Sequence, residues 1–162
     1  MAQPAVVISF TSRCGTTEAL AHAAAVGVVN GRALPRLRRL ADDGSPTPPD
    51  CAAALHRMQK EYVPPTEADI DGSRALIVVP SAGMTPLSIA WQPFMAMLDQ
   101  IAAAGTLAGK LGAVIDAGDH HTVESFASIL AARGFALIDA DGGDARAHGR
   151  AVGVALLDRF SR

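Results

Sequence analysis

Apolar residues in this chain fall into short unbroken runs, separated by stretches in which they recur every three or four positions. Residues 5 to 10, Ala-Val-Val-Ile-Ser-Phe, form a near-continuous run of strand length, the pattern of a strand covered on both faces. A turn-rich segment, Thr11 to Thr17, leads into Glu18 to Val29, where Ala19, Leu20, Ala23, Ala24 and Val26 keep helical spacing and Gly31 supplies a stop. Ala33 to Leu37 reads as a second strand. The prolines and small polar residues of Asp43 to Pro49 sustain neither period and predict an exposed loop, with Asp50 as cap for a helix over Cys51 to Tyr62. The strongest strand is Arg74 to Pro80, followed by a loop at Ser81 to Pro86 and a helix from about Ser88 to Ala104. Pro93 either starts that helix at about Gln92 or kinks it, and Trp91, Phe94, Met95 and Leu98 make the i, i+3, i+4, i+7 stripe of a buried face. Leu111 to Asp116 is the next strand, Ala117 to His121 its loop, and Thr122 to Arg133 a helix closed by Gly134. A last strand at Phe135 to Ile138 and a helix at Ala145 to Phe160 complete the chain. Strands alternating with helices predict an α/β fold, a three-layer sandwich around a five-stranded parallel sheet with right-handed crossovers.

Composition narrows the picture. A chain of 162 residues is the size of one domain, taken here as 1–162, and 49% hydrophobic against 19% charged residues excludes disorder. A net charge of -2 and 4% aromatic residues supply neither the field nor the stacking platforms that nucleic acid needs. The start, Met1 to Val6, has no basic stretch before an apolar one, and no window approaches eighteen uncharged apolar residues, so neither secretion nor a membrane span is expected. Cys14 and Cys51 are read as reduced thiols, which places the protein in the cytoplasm.

In an open parallel sheet the ligand sits beyond the carboxyl ends of the strands. The first such loop, Thr11-Ser12-Arg13-Cys14-Gly15-Thr16-Thr17, combines small hydroxyl side chains with a glycine at a helix N-terminus, where backbone N–H groups and the helix dipole favour a phosphate. It has neither the Gly-x-Gly-x-x-Gly dinucleotide fingerprint nor the Gly-Lys-Ser/Thr end of a triphosphate loop. The competing reading is a Ser/Thr-rich cap that binds nothing. His22, His56 and His148 have no cysteine or carboxylate partners at ligand spacing, so no metal site is expected.

The stretch Val6 to Ala21, an apolar strand running into a Ser/Thr-x-x-Gly-x-Thr loop and an Ala-rich helix, resembles the opening of flavodoxin-like FMN proteins. Asp69-Ile70 through Ala75 to Ser81, then Met97 to Gln100, Leu107 to Val114 and Ala145-Arg146-x-x-Gly149-Arg150-x-Val152 follow the order seen in the Trp-repressor-binding-protein-like NAD(P)H:quinone oxidoreductases and the NADPH-dependent FMN reductase group. The resemblance implies strand order 2-1-3-4-5. It implies an FMN phosphate held by Ser12, Arg13, Cys14, Gly15, Thr16 and Thr17, and a flavin ring beside Pro80, Ser81, Ala82, Gly83, Met84 and Thr85. A third loop, with Ala117, Gly118 and Asp119, would close the other side, and is shorter than the glycine-rich loop of that family. Val79 to Thr85 stands where the family has Gly-Thr/Ser-Pro-Thr, an aromatic residue and Gly-Asn-Met.

His120 or His121 would donate a proton to substrate, imidazole titrating near neutrality; the alternative is exposed polar surface ahead of a capped helix. Cys14 at a helix start also suits a nucleophile. A low-molecular-weight phosphatase would need arginine six residues on, where Leu20 stands; phosphocysteine chemistry of a phosphotransferase IIB type stays open, and a small residue tolerated in the loop is preferred. Trp91 and Tyr62 are read as packing residues, and Arg36, Arg38 and Arg39 as a solvated strand end whose field Asp42 and Asp43 partly cancel. The expected function is non-covalent FMN binding and electron transfer from NAD(P)H to a quinone or similar small acceptor, in a homo-oligomer. The alternative is a fold relative that has lost flavin and binds another anionic ligand or a protein.

Overall fold

The computed structural model describes residues 2–139 and 143–160; Met1, which opens the start considered above, and the last two residues of the 1–162 span lie outside them. The strands are β1 (Ala5–Phe10), β2 (Leu34–Arg39), β3 (Ala75–Val79), β4 (Leu111–Val114) and β5 (Ala136–Leu137). The α-helices are α1 (Thr16–Asn30), α2 (Ala52–Glu61), α3 (Glu67–Asp71), α4 (Gln92–Ala103), α5 (His120–Ala132) and α6 (Ala145–Phe160). All pairings are parallel, in the order β2-β1-β3-β4-β5, the expected flavodoxin-like order. The interior strand β1 sets Ile8 opposite Leu37 on one side and Ile77 on the other.

Each strand face feeds its own core, as strand alternation requires. Val6, Ile8, Phe10, Ile77 and Val79 pack on Ala21, Ala24 and Val28 of α1 and Val152 and Leu156 of α6. On the other face Val7, Leu76 and Val78 meet Trp91, Phe94, Leu98 and Ile101 of the α4 region and Phe126 and Leu130 of α5. Trp91 is fully buried, with its ring 5.7 Å from Phe94 and 4.8 Å from Phe126, so it is a packing residue. Tyr62 packs edge-on against Phe10 at 5.1 Å.

The contact between α1 and α6 is a backbone seam. A Cβ on Gly27 would lie 1.9 Å from the Arg146 carbonyl oxygen, and one on Gly149 would lie 2.0 Å from that of Ala24, so only glycine permits this approach.

Several boundaries differ from the sequence expectation for local reasons. The α1 helix begins at Thr16, before the expected Glu18, because Gly15 turns left-handed (φ 96°) and opens the helix early. The start of α4 at Gln92 puts Pro93 in its first turn, where the missing N–H costs nothing. Asp50 lies inside a 3-10 turn, Pro49–Cys51, and caps nothing. The unexpected α3 is set by a capping box: Thr66 Oγ1 accepts from the Asp69 N–H at 3.2 Å, and Asp69 Oδ2 accepts from the Thr66 N–H at 2.9 Å.

Candidate functional site

The β1–α1 loop owes its shape to Gly15. Its N–H donates to Ser12 Oγ at 3.1 Å and its carbonyl accepts from the Ala19 N–H at 3.0 Å, which draws Ser12 to Gly15 into a turn at the start of α1. The N–H groups of the first helical turn, from Thr16 on, have no intrahelical acceptor by the geometry of any helix start. A pocket of about 250 Å³ opens beside them. Its walls are Thr11 to Cys14, Thr16 and Thr17, then Arg39 to Asp43 after β2, and Ser81, Met84 and Ala90 after β3.

Hydroxyls tie the first and second loops together. Thr11 Oγ1 lies 3.1 Å and Thr17 Oγ1 3.2 Å from Ser81 Oγ, and the Ser81 N–H donates to Thr11 Oγ1 at 3.2 Å. Thr17 is 6% exposed, so a larger side chain there has no room.

Arg39 was expected in solvent with Arg36 and Arg38. It is instead buried at 6% exposure, and its guanidinium donates twice to the Ser12 carbonyl, at 3.0 and 2.8 Å, and to both oxygens of Asp42, at 2.5 and 3.2 Å. Arg38 forms a two-pronged pair with Asp69 at 3.0 Å on each arm. Arg13 turns away from the turn to bond Asp43 and the Pro46 carbonyl. The arginines at the pocket are therefore matched by carboxylates, and an anion entering it meets chiefly backbone N–H groups and the helix dipole. The Arg39 hydrogen bond, opposed by burial, holds Asp42 below the usual carboxylate range; Ser45 does so for Asp43. Glu18 points from α1 to α2, where Arg57 (2.6 and 3.0 Å) and the Tyr62 hydroxyl (2.6 Å) lower its pKa.

Cys14 and Cys51 form a disulfide, which corrects the reading of both as free thiols and removes that support for a cytoplasmic location. The bridge spans a separation of 37 residues and joins the first loop to the turn before α2. By loop closure alone it is worth roughly 3–4 kcal/mol. With no free thiol at Cys14, nucleophilic phosphocysteine chemistry has no starting group in this state.

The second and third loops meet away from the pocket. Gly83 (φ 81°) donates its N–H to Asp119 Oδ2 at 3.1 Å and to Thr122 Oγ1 at 3.2 Å. Asp119 also caps α5, accepting from the N–H groups of His121 at 3.1 Å and Thr122 at 3.4 Å, and its carboxyl is held below the usual range, first by the Thr122 hydroxyl. Of the expected ring-side residues only Ser81 and Met84 line the pocket; Pro80, Ala82, Gly83, Thr85, Ala117, Gly118 and Asp119 do not. His120 and His121 sit on the exposed first turn of α5, with side chains 78% and 97% exposed and Glu124 as their neighbour at 3.1 and 3.9 Å. They are not brought to the pocket. Sequence reasoning missed Arg39 to Asp43 and Ala90 as pocket walls. No metal-binding cluster occurs among the described residues, and no described helix is long and apolar enough to cross a membrane.

No protein-family model matches the sequence, and no curated protein does. Solved structures do resemble the fold. The two-electron reduced Megasphaera elsdenii flavodoxin is 14% identical, with a TM-score of 0.61 over 91% of this chain and 98% of that one. A flavodoxin, WrbA-like protein from Agrobacterium tumefaciens is 15% identical, TM-score 0.57, over 97% of each chain. Oxidised Flavodoxin 2 from Bacillus cereus is 18% identical, TM-score 0.53, over 98% of this chain and all of that one. At such identities the likeness defines a flavodoxin-like fold and nothing finer.

For FMN, the phosphate end of the site fits. A left-handed glycine opens a helix whose first N–H groups border a pocket, with Ser12, Thr16 and Thr17 around it. At the ring end the Gly83 N–H, the donor expected to meet the flavin edge, is already engaged by Asp119 and Thr122.

Proposed function

We propose that this chain holds FMN non-covalently, with its phosphate at the N-terminus of α1, and passes electrons from NAD(P)H to a quinone or similar small acceptor. The observation that carries the reading is the Gly15 turn, which presents the first N–H groups of α1 to the pocket at the carboxyl ends of β1 and β3. Bound FMN would supply the two-electron redox chemistry. The chain's own work is binding and orientation. The backbone from Ser12 to Thr17 receives the phosphate, while Arg39 holds the Ser12 carbonyl and so the shape of the loop. Ser81 and Met84 line the side toward the ring, and the Asp119–Gly83 bond fixes the second loop against the third. His120 and His121, outside the pocket, would reach a substrate only at its exposed edge. Leu87 and Ile89, 81% and 68% exposed beside the second loop, support completion of a shallow site by a second copy of the chain.

A second reading, a flavin-free relative that binds another anionic ligand or a protein partner, is favoured by the occupied Gly83 N–H. Purified protein mixed with FMN, NADPH and a benzoquinone separates the two. Quinone-dependent NADPH oxidation above the rate of free FMN supports the electron-transfer reading, and a rate equal to free FMN refutes it.

A further inference from the structure

The disulfide ties the pocket to the chain that follows β2. Cys14 is a wall of the pocket, one residue before the Gly15 that opens α1; Cys51 is the N-cap of the ten-residue α2. Between Asp42 and Cys51 the chain has no regular structure before the 3-10 turn and is largely exposed, and its Asp42 and Asp43 also line the pocket. Apart from the bridge, that segment is held by side chains: Arg39 and Gln59 on Asp42, and Arg13 on Asp43 and the Pro46 carbonyl. The α2 helix that follows has its own anchor, the Arg57–Glu18 pair with Tyr62. Cutting the bridge therefore removes the covalent tie of this segment and leaves the pocket wall on the Arg39, Gln59 and Arg13 contacts alone, while α2 keeps its own anchor.

Chemistry favours that cut. Cys14 is exposed and Cys51 half-buried, so a thiolate reaches the bridge from solvent. Both sulfurs stand at helix N-termini, where a thiolate is stabilised, and Cys51 makes no side-chain cap in the oxidised state. The charged neighbours are of both signs: Arg13, paired with Asp43, beside Cys14, and Asp50 beside Cys51.

We propose that Cys14–Cys51 is a site of thiol–disulfide exchange with an external dithiol, and that its state sets the affinity of the α1 pocket for a phosphate-bearing ligand. The attacking thiolate bonds to Cys14 Sγ, and the S–S bond breaks with its electron pair on Cys51 Sγ, at the N-terminus of α2. The second sulfur of the dithiol then attacks its partner in the mixed disulfide and expels the Cys14 thiolate. In sum the dithiol is oxidised to a cyclic disulfide, and two electrons and two protons pass to the cysteine pair. The oxidised state keeps the walls in place and pre-organised; the reduced state must order them on binding, so ligand binds more weakly.

The affinity half of the proposal rests on the FMN reading above, and the test keeps the two apart. The intact protein is oxidised, or reduced with dithiothreitol and alkylated with iodoacetamide. Each form, and the Cys14→Ser/Cys51→Ser variant, is titrated with FMN by fluorescence quenching, with alkylation counted by mass and the fold followed by circular dichroism. The expected result is two carbamidomethyl groups under native conditions, an unchanged fold, and FMN bound about 10-fold more weakly by the reduced form and the variant than by the oxidised protein. Equal affinities in the two states overturn the proposal. So does a bridge that reduces only after unfolding, or a fold lost on reduction, either of which makes it a structural staple. If the oxidised protein ignores FMN, the FMN reading fails instead, and native reduction with increased hydrogen exchange confined to residues 42–51 still supports the switch, whereas unchanged exchange there overturns it.

Discussion

Replacing Gly149 by alanine sets a local gain against a tertiary loss, and the structure decides which wins. In an isolated helix the change stabilises by about 1 kcal/mol. Here the new Cβ would stand 2.0 Å from the Ala24 carbonyl oxygen and 2.8 Å from its carbon, both backbone atoms that cannot swing aside. Ordinary contact begins at 3.4 Å, so α6 must retreat from α1 by about 1.4 Å. That separation loosens Val28, Val152 and Leu156 in the core shared by the two helices. Overpacking of this kind costs about 1–3 kcal/mol, and retreat of a whole helix adds lost contacts, for a net loss of about 3–4 kcal/mol after the propensity gain. For a chain of this size each kcal/mol moves Tm by about 2–4 °C, giving a fall of roughly 6–16 °C by calorimetry. Gly27→Ala, whose Cβ meets the Arg146 oxygen at 1.9 Å, should behave alike, and the double variant should lose less than the sum, because one displacement relieves both clashes. A Gly149→Ala protein with equal or higher Tm would refute the seam.

Other consequences concern the site. Thr17→Leu should keep the fold by circular dichroism but abolish phosphate-dependent ligand binding, since the 6% exposed Thr17 side chain lies against Ser81 at the pocket floor; retained FMN affinity would count against the cradle. Arg39→Met strands the Ser12 carbonyl and Asp42, so chemical denaturation should report a loss of about 2 kcal/mol, and no loss would show that the loop is held by other means. Glu18, Asp42 and Asp69 all have pKa values depressed in the folded state: by Arg57 for Glu18, by Arg39 for Asp42, and for Asp69, where burial pushes the other way, by the combined hydrogen bonds of Arg38 and Thr66. Their contribution is complete above the unfolded carboxylate range of about 4 and is lost as pH falls through the folded values. Tm should therefore drop steeply below about pH 4, and less steeply in Glu18→Gln; a flat Tm down to pH 2.5 would contradict the sign.

How much could be read from the sequence depended on how far apart the deciding partners lie. β1 is found to the residue, because a strand buried on both faces writes an unbroken run from Ala5 to Phe10. α3 escaped notice because five residues carry no period; its signal was the Thr66-x-x-Asp69 capping box. The first loop reads as a phosphate cradle from local residue types alone. Arg39 does not read as buried, since the carbonyl it holds is 27 residues away, and the Asp42–Asp43 wall comes from where β2 ends against the first loop. Two cysteines separated by 37 residues in a chain of this size give no framework from which to infer a bridge.

The claim on which the function turns is that the start of α1 receives a phosphate. Isothermal titration of the oxidised protein with FMN and with riboflavin, which differ by that phosphate alone, tests it most directly. Saturable FMN binding at micromolar or tighter Kd is expected, with riboflavin at least about 100-fold weaker. Equal affinity for both ligands, or heat from neither, would contradict it.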